Sequence, residues 1–526
     1  VKEDGFAGHG RLEFDTPGWS RGAIFYQIFV DRFFNGGGSN DVKDGEYTYM
    51  DVSTRHKEWN DLPESFDVAN FHGGDLEGVI RKLDYLESLS VEAIYLNPVF
   101  CSPSNHKYDT EDYYHVDPHF GGNEALERLC KEVHRRGMKI ILDGVFNHCS
   151  DRNPWTGIGE YFRRDEKGEP ECWWGNKTLP KLNYDDCGKL VDEVMEIAKF
   201  WLREPYRIDG WRLDVAADLG HSEEFNHSFW KRFRNEVKSV NPDALILAEH
   251  YGDASAWLKG DEWDSIMNYD GFMEPVSAFL TGMEKHSDAL DEDAMGDGER
   301  FKRTIERVEA ALPRCSVLSA MNELDNHDHS RFLTRTNHVA GRLASLGSEA
   351  ATEGTNICFL RQAQVLQFTL SGAPTIYYGD EAGVTGFTDP DSRRDYPWGK
   401  EDQECLEFCR GIAQIHRSIQ TLKTGDMKWL AAQKNLIAYA RIPAEGETGA
   451  RVITIVHTGE DEFDVGIPVE AAGLKDGDTV RGLLYTDCWN YGFRGSEMTV
   501  RDGMLIFRVK PHGAYVLADT AQPTRQ

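Results

Sequence analysis

The strongest constraint on this chain is an alternation. Eight apolar, strand-like runs recur along residues 23–380, most of them followed by a stretch with helical spacing of its apolar positions. The runs fall at 23–30, 93–99, 139–146, 206–215, 244–249, 263–269, 316–324 and 374–380. Between them, 75–89, 125–137, 190–204 and 224–240 carry apolar residues at the i, i+3, i+4 positions of amphipathic helices. Eight strand–helix units predict an α/β fold, a (β/α)8 TIM barrel.

Two stretches break the rhythm. Residues 149–187 hold Trp, Gly, Pro and charge without clear period and read as an excursion after the third strand. From about 423 the pattern shortens to alternating strands such as NLIAYARI and MLIFRV, which predicts a C-terminal antiparallel β-sandwich over 423–526. The organisation expected is an N-terminal arm (1–18), a barrel in two parts (19–148 and 188–422), the excursion and the sandwich.

Bulk properties narrow the partners. A formal charge of −31 opposes nucleic-acid binding, which needs Lys and Arg against phosphate. No apolar run is long enough to span a bilayer. The ten cysteines are scattered, with no CxxC pair, and read as free thiols of a reducing cytoplasm. The start has no basic-then-apolar leader pattern, although it does not begin with Met, so a trimmed secretion signal stays open.

In a barrel of this kind chemistry gathers at the C-terminal strand ends. The third run ends on Asp143, Asn147 and His148, the fourth on Arg212 and Asp214, the fifth on Glu249, and the seventh leads into Asn326, His327 and Asp328. Singly, each has a plain structural reading: Asp143 as a brace, His148 as a core histidine, Asp328 as a helix cap, Asp214 as the ion-pair partner of Arg212. Their convergence on one rim favours chemistry. Paired carboxylates cleave glycosidic bonds, one attacking the anomeric carbon and the other protonating the leaving oxygen. Side chains alternate along a strand, so Arg212 faces the same way as Asp214 and is expected to keep it ionised.

These residues in this order resemble the α-amylase superfamily of glycoside hydrolases. DGVFNH (143–148), GWRLDVAAD (210–218), the Glu of LILAEHYGD (245–253) and LDNHD (324–328) are similar to its four conserved regions. LPKLN (179–183) resembles a motif of its domain B, and GAPTIYYGDE (372–381) its last barrel strand. The resemblance implies Asp214 as nucleophile, Glu249 as general acid/base and Asp328 as transition-state stabiliser. It implies sugar contacts by Tyr108, His148, Arg212 and His327, and by Asp389 and Arg393 of DPDSRRDYPW.

Several stretches look most like neopullulanases, cyclomaltodextrinases and maltogenic amylases. The activity implied is retaining cleavage of α-1,4-glucosidic bonds in maltooligosaccharides and starch-derived α-glucans, with cyclodextrin or pullulan as further substrates. An α-1,6-glucosidase or a glucosyltransferase of the same superfamily is the alternative, and a non-catalytic sugar-binding relative is the reading from another class. The resemblance also implies a structural Ca2+ on Asn35, Asn40, Asp41, the Gly73 carbonyl and Asp75, all oxygen donors. Gly37 stands where those relatives usually have Asp. Their N-terminal β-domain is not seen before this barrel, so a monomer or weak oligomer is expected. Tyr251-Gly252 replaces their Trp-His after the acid, a change on the leaving-group side of the cleft.

Overall fold

The computed structural model describes residues 14–519. The arm expected at 1–18 therefore lies largely outside the described residues.

Eight parallel strands form one sheet: β1 (Phe25–Ile28), β2 (Ala93–Leu96), β3 (Lys139–Gly144), β4 (Gly210–Leu213), β5 (Leu245–Ala248), β6 (Ser265–Ile266), β7 (Met321–Glu323) and β8 (Ala373–Tyr377). Their order around the sheet is β6-β5-β4-β3-β2-β1-β8-β7. A parallel bridge between Met267 and Met321 joins the two ends, which closes the barrel. Asn268 N donates to Met321 O across that junction at 3.0 Å.

Each strand is shorter than its apolar run. The fourth run, 206–215, yields only Gly210–Leu213, and 263–269 yields Ser265–Ile266. In 316–324 the first residues complete a short helix, Arg314–Leu318, before β7 begins. An apolar run of that length does not distinguish a buried helical turn from a strand.

Period-two alternation divides the side chains into two cores. Ile24, Tyr26, Ile94, Ile140, Leu142 and Ile246 face the surrounding helices. Phe25, Tyr95, Ile141, Leu245, Leu247, Met267 and Met321 fill the barrel. The same parity turns Asp143 and Arg212 inward, one level above that filling, where they are register partners.

The helices between strands include α1 (Leu76–Arg81), α2 (Leu83–Ser88), α3 (Gly122–Arg135), α4 (Gly188–Leu202) and α5 (Glu223–Val240). Later ones are α6 (Glu274–Thr281), α7 (Gly298–Ala311), α8 (Ile357–Thr369) and α9 (Gln403–Ser418). Ser222 caps α5 by accepting from Phe225 N, and Asp402 caps α9 by accepting from Glu404 N and Cys405 N. Between β3 and α4 the chain makes only short 3-10 turns and isolated bridges, one of them pairing His148 with Lys181.

Beyond the barrel lie β9 (Asp426–Gln433), β10 (Leu436–Ile442), β11 (Val452–His457), β12 (Phe463–Pro468), β13 (Thr479–Thr486), β14 (Met504–Val509) and β15 (Ala514–Asp519). A seven-stranded antiparallel sheet contains β9-β10-β11-β15-β13 in that order and two short strands. The β12–β14 pair covers it, enclosing a separate core of Leu436, Ile453, Ile467, Leu505 and Val509. This is the expected antiparallel sandwich, with a second layer only two strands wide.

Candidate active site

Strand register builds the centre. Leu213 pairs with Ala248, so the next residues, Asp214 and Glu249, leave the sheet side by side. Glu249 N donates to Leu213 O at 2.9 Å and fixes that step. Immediately after Asp214 the backbone turns through Val215 at φ +45°, a left-handed conformation that β-branched residues avoid at a cost of about 1–3 kcal/mol. The turn aims Val215 N at Glu249 Oε2, 3.1 Å away. Local strain is thus coupled to the placement of a carboxylate.

Arg212, fully buried, connects the centre. Its Nη1 lies 2.9 Å from Asp214 Oδ1 and 3.1 Å from Asp143 Oδ1, and its Nη2 is 3.0 Å from Glu249 Oε2. The pair with Asp214 expected from the sequence is present, and the structure adds to it: one guanidinium serves three carboxylates on three strands.

The electrostatic result follows. Burial pushes Asp214 well above the ordinary carboxylate range; the neighbouring Glu249 charge adds to this and Arg212 opposes it. Burial also raises Glu249, with Arg212 opposing and Asp328 adding. Two such carboxyls around one cation titrate as a coupled unit. Glu323, buried beside them at the end of β7, is pushed up to about 8, chiefly by burial.

Asp143 is a brace, as its plain reading holds. Its Oδ2 accepts from Tyr95 OH at 2.6 Å and Tyr108 OH at 2.9 Å. Tyr108 in turn meets His327 Nε2 at 2.6 Å, and the two rings stack with centroids 5.2 Å apart. His327 Nδ1 accepts from Gln27 Nε2 (3.0 Å) and Asn97 Nδ2 (3.1 Å), which leaves its proton on Nε2. Burial, then the charges of Arg393 and Arg212, hold the imidazole neutral. His148 is likewise neutral, pushed down to about 4 by burial; its Nε2 donates to Tyr108 O at 3.1 Å.

Asp328 stands on the open side, its side chain 35% exposed. Arg393 Nη2 is 3.3 Å from Asp328 Oδ1 and 3.5 Å from Asp389 Oδ2, and its Nε donates to the His327 carbonyl at 2.8 Å. Every residue expected to form the catalytic or sugar-binding set therefore lies on one rim, in two linked groups: one around Arg212, one around Arg393. Sequence reasoning missed Gln27, Tyr95, Asn97 and Glu323. Each is a polar residue in or ending an apolar run, the same signal that marks Asp214. Trp173, which stacks on His148 with centroids 6.1 Å apart, comes from the excursion and had no such signal.

The five residues expected to hold calcium also gather, at the mouth of β1 and the start of α1. Asn35 Nδ2 donates to Asp41 Oδ1 (2.9 Å) and Asn40 Nδ2 to Asp75 Oδ2 (3.0 Å). Gly73, at φ +83°, approaches so closely that a Cβ there would sit 2.6 Å from Asn35 Nδ2 and 2.9 Å from Asp41 Oδ1. Two carboxylates, two carboxamides and the Gly73 carbonyl are the oxygen-bearing groups Ca2+ takes, and here the amide nitrogens of Asn35 and Asn40 face the carboxylates.

Comparison with known proteins agrees with this geometry. The α-amylase catalytic-domain model matches residues 27–174 and 165–433. Neopullulanase 2 of Thermoactinomyces vulgaris is 35% identical, over 97% of this chain and 80% of that protein. An amylopullulanase of Thermoanaerobacterium saccharolyticum is 35% identical over 93% of this chain, which spans only 42% of that longer relative. The solved debranching enzyme of Nostoc punctiforme superposes with a TM-score of 0.75 at 30% identity, over 96% of this chain and 99% of that one. The chain belongs to the α-amylase family of glycoside hydrolases.

Proposed function

We propose that this protein hydrolyses α-1,4-glucosidic bonds in maltooligosaccharides and related α-glucans, with retention of anomeric configuration. The observation that carries the reading is the placement of Asp214 and Glu249 side by side at the ends of adjacent strands, sharing Arg212. In this reading Asp214 attacks the anomeric carbon while Glu249 gives its proton to the leaving oxygen. The reaction requires the acidic proton on Glu249 when substrate binds, with Asp214 ionised against Arg212 Nη1. Glu249 then takes a proton from water, whose oxygen displaces Asp214 from the sugar. Asp328 faces the positive charge that develops on the ring. Neutral His148 and His327 both turn Nε2 on Tyr108, the first to its carbonyl and the second to its hydroxyl, and so fix that ring beneath the sugar, while Arg393 holds Asp328 and Asp389 in place. The relatives' names, neopullulanase and amylopullulanase, support α-glucan as the substrate class.

Asn35, Asn40, Asp41, Gly73 and Asp75 would hold Ca2+, which supplies structural bracing of the loop before α1. All ten cysteines are free thiols, which supports a reducing compartment, and no helix among the described residues is long and apolar enough to cross a membrane. The same reading keeps the protein a monomer or weak oligomer.

The second reading is glucosyl transfer. Tyr251, two residues after Glu249, is 46% exposed and stacks on Tyr269 with centroids 4.6 Å apart. An apolar ring beside the acid offers an acceptor sugar a seat that competes with water. Product analysis on maltotriose separates the two: hydrolysis gives glucose and maltose with the α-anomer first by NMR, transfer gives products longer than three units. Asp214→Asn should lower kcat by about 10^4-fold or more at unchanged fold. Near-normal turnover by that variant would sink the assignment.

A further inference from the structure

Trp174 is 88% exposed, the most open of the large apolar side chains among the described residues. It is not a loose end. Trp173 N donates to Leu179 O (2.8 Å), Asn176 N to Trp173 O (2.9 Å), Leu179 N to Asn176 O (2.9 Å), and Cys172 bridges to Pro180. The turn is thus pinned to the LPKLN segment, whose Lys181 pairs with His148 in a bridge. Trp174 itself sits at φ +49°, a left-handed conformation that a bulky residue adopts only when its surroundings impose it.

Position gives the strain a purpose. Trp173 stacks on His148 (6.1 Å, planes 9° apart), with Lys181 Nζ 5.5 Å from its ring centre on a salt bridge to Asp218. Trp174 meets Trp173 edge-on at 6.2 Å. A continuous row of rings therefore leads from His148 on the catalytic rim outward to Trp174. Packing does not account for the last ring, since nearly all of it faces solvent. Indole faces bind the apolar faces of pyranose rings, and a rigid platform avoids the entropy of ordering a loop.

We propose that Trp174 is a specificity-determining platform that stacks a glucose unit remote from the cleaved bond, so that the cleft prefers long α-glucan chains. This rests on the glucan-cleaving reading above and adds chain-length selection to it. Contact made equally in ground and transition states raises affinity without changing the chemical step.

The test compares wild type and Trp174→Ala on maltoheptaose and maltotriose. The ratio of kcat/KM for the longer over the shorter substrate should fall about tenfold in the variant, through KM. An unchanged ratio overturns the platform, as does an altered molecular mass of the variant in solution with no change in ratio, which would make Trp174 a contact between copies of the chain. A second measurement stands apart from turnover. Maltoheptaose added to Asp214→Asn should quench tryptophan fluorescence, and Trp174→Phe in that background should remove at least half of the quench; retention of the full quench overturns the proposal. Failure of wild type to cleave either sugar would count against the glucan-cleaving reading, while the quench experiment would still decide on Trp174.

Discussion

Two acidic clusters sit on this molecule and solve the same problem in opposite ways. Around Arg212, three carboxylates converge in a water-excluded barrel, and the chain supplies its own cation. Around Gly73, Asp41 and Asp75 are each met by a carboxamide, Asn35 on the first and Asn40 on the second. Among the described residues the one ion pair drawn to this second cluster is His56 at 3.9 Å from Asp41. The difference teaches what each is for. Around Arg212 the cation is built in, and two carboxyls raised by burial compete for it, which is the setting the proposed acid–base chemistry needs. Around Gly73 the chain offers oxygens and no cation of its own, which is the ground for proposing Ca2+ there as a brace.

The comparison breaks first at Arg212. Arg212→Met should leave three buried carboxylates without a counter-ion and lower unfolding free energy by about 3–5 kcal/mol in denaturant titrations. Turnover should fall with it by at least ~10^3-fold; a variant as stable as wild type would mean the carboxylates do not depend on that guanidinium. The middle-sized effect belongs to the other cluster. Chelation with EDTA should lower Tm by several degrees, and added Ca2+ should restore it. Asp41→Asn should abolish that Ca2+ response while the wild-type pH profile of activity persists. A Tm indifferent to both chelator and Ca2+ would remove the distinction between the clusters.

The smallest effect sharpens the first cluster. One cation cannot balance every carboxyl near it, and Glu323 is held up to about 8 against an ordinary 4.5. The folded state therefore favours its protonated form. That stabilisation is complete below the unfolded value and is lost as pH rises toward about 8. Glu323→Gln, neutral at all pH, should match wild type in Tm near pH 5 and exceed it by a few degrees near pH 9. Equal Tm at both pH values would place Glu323's charge outside the cluster.

Much of this was legible beforehand because the barrel has a strict period. A strand of alternating parity decides which residues face inward, so Arg212 and Asp214 share a side before any coordinate is known. Convergence of Asp214, Glu249, Asp328 and both histidines followed from asking which polar residues end each run. What the sequence left unread has a common cause. Arg212's reach to Asp143 and Glu249 is set by strand register between neighbours far apart in the chain. Strand lengths were overestimated at β6 and β7, since apolar character continues into the turns that flank them. Trp173 and Trp174 lie in a segment with no period, where nothing local ties a side chain to the rim.

The closure of the barrel has a mechanical consequence. Strands β3, β4 and β5 pair over several residues each and carry Asp143, Arg212, Asp214 and Glu249. Across the ring, β6 and β7 are two and three residues long; one backbone bridge, Met267 to Met321, joins them, and side chains tie the rest of the seam, Asn268 to Asn322 and Ser265 to the Ser316 carbonyl. That seam lies directly below Tyr269, on which Tyr251 rests. Backbone pairing is therefore unevenly distributed: Asp214 and Glu249 follow the strands paired over most residues, while Tyr251 rests on the ring that follows the shortest one. In the proposed reaction the carboxylates would thus be held by backbone pairing, and the wall beside the leaving sugar by side-chain contacts that substitution can change one at a time.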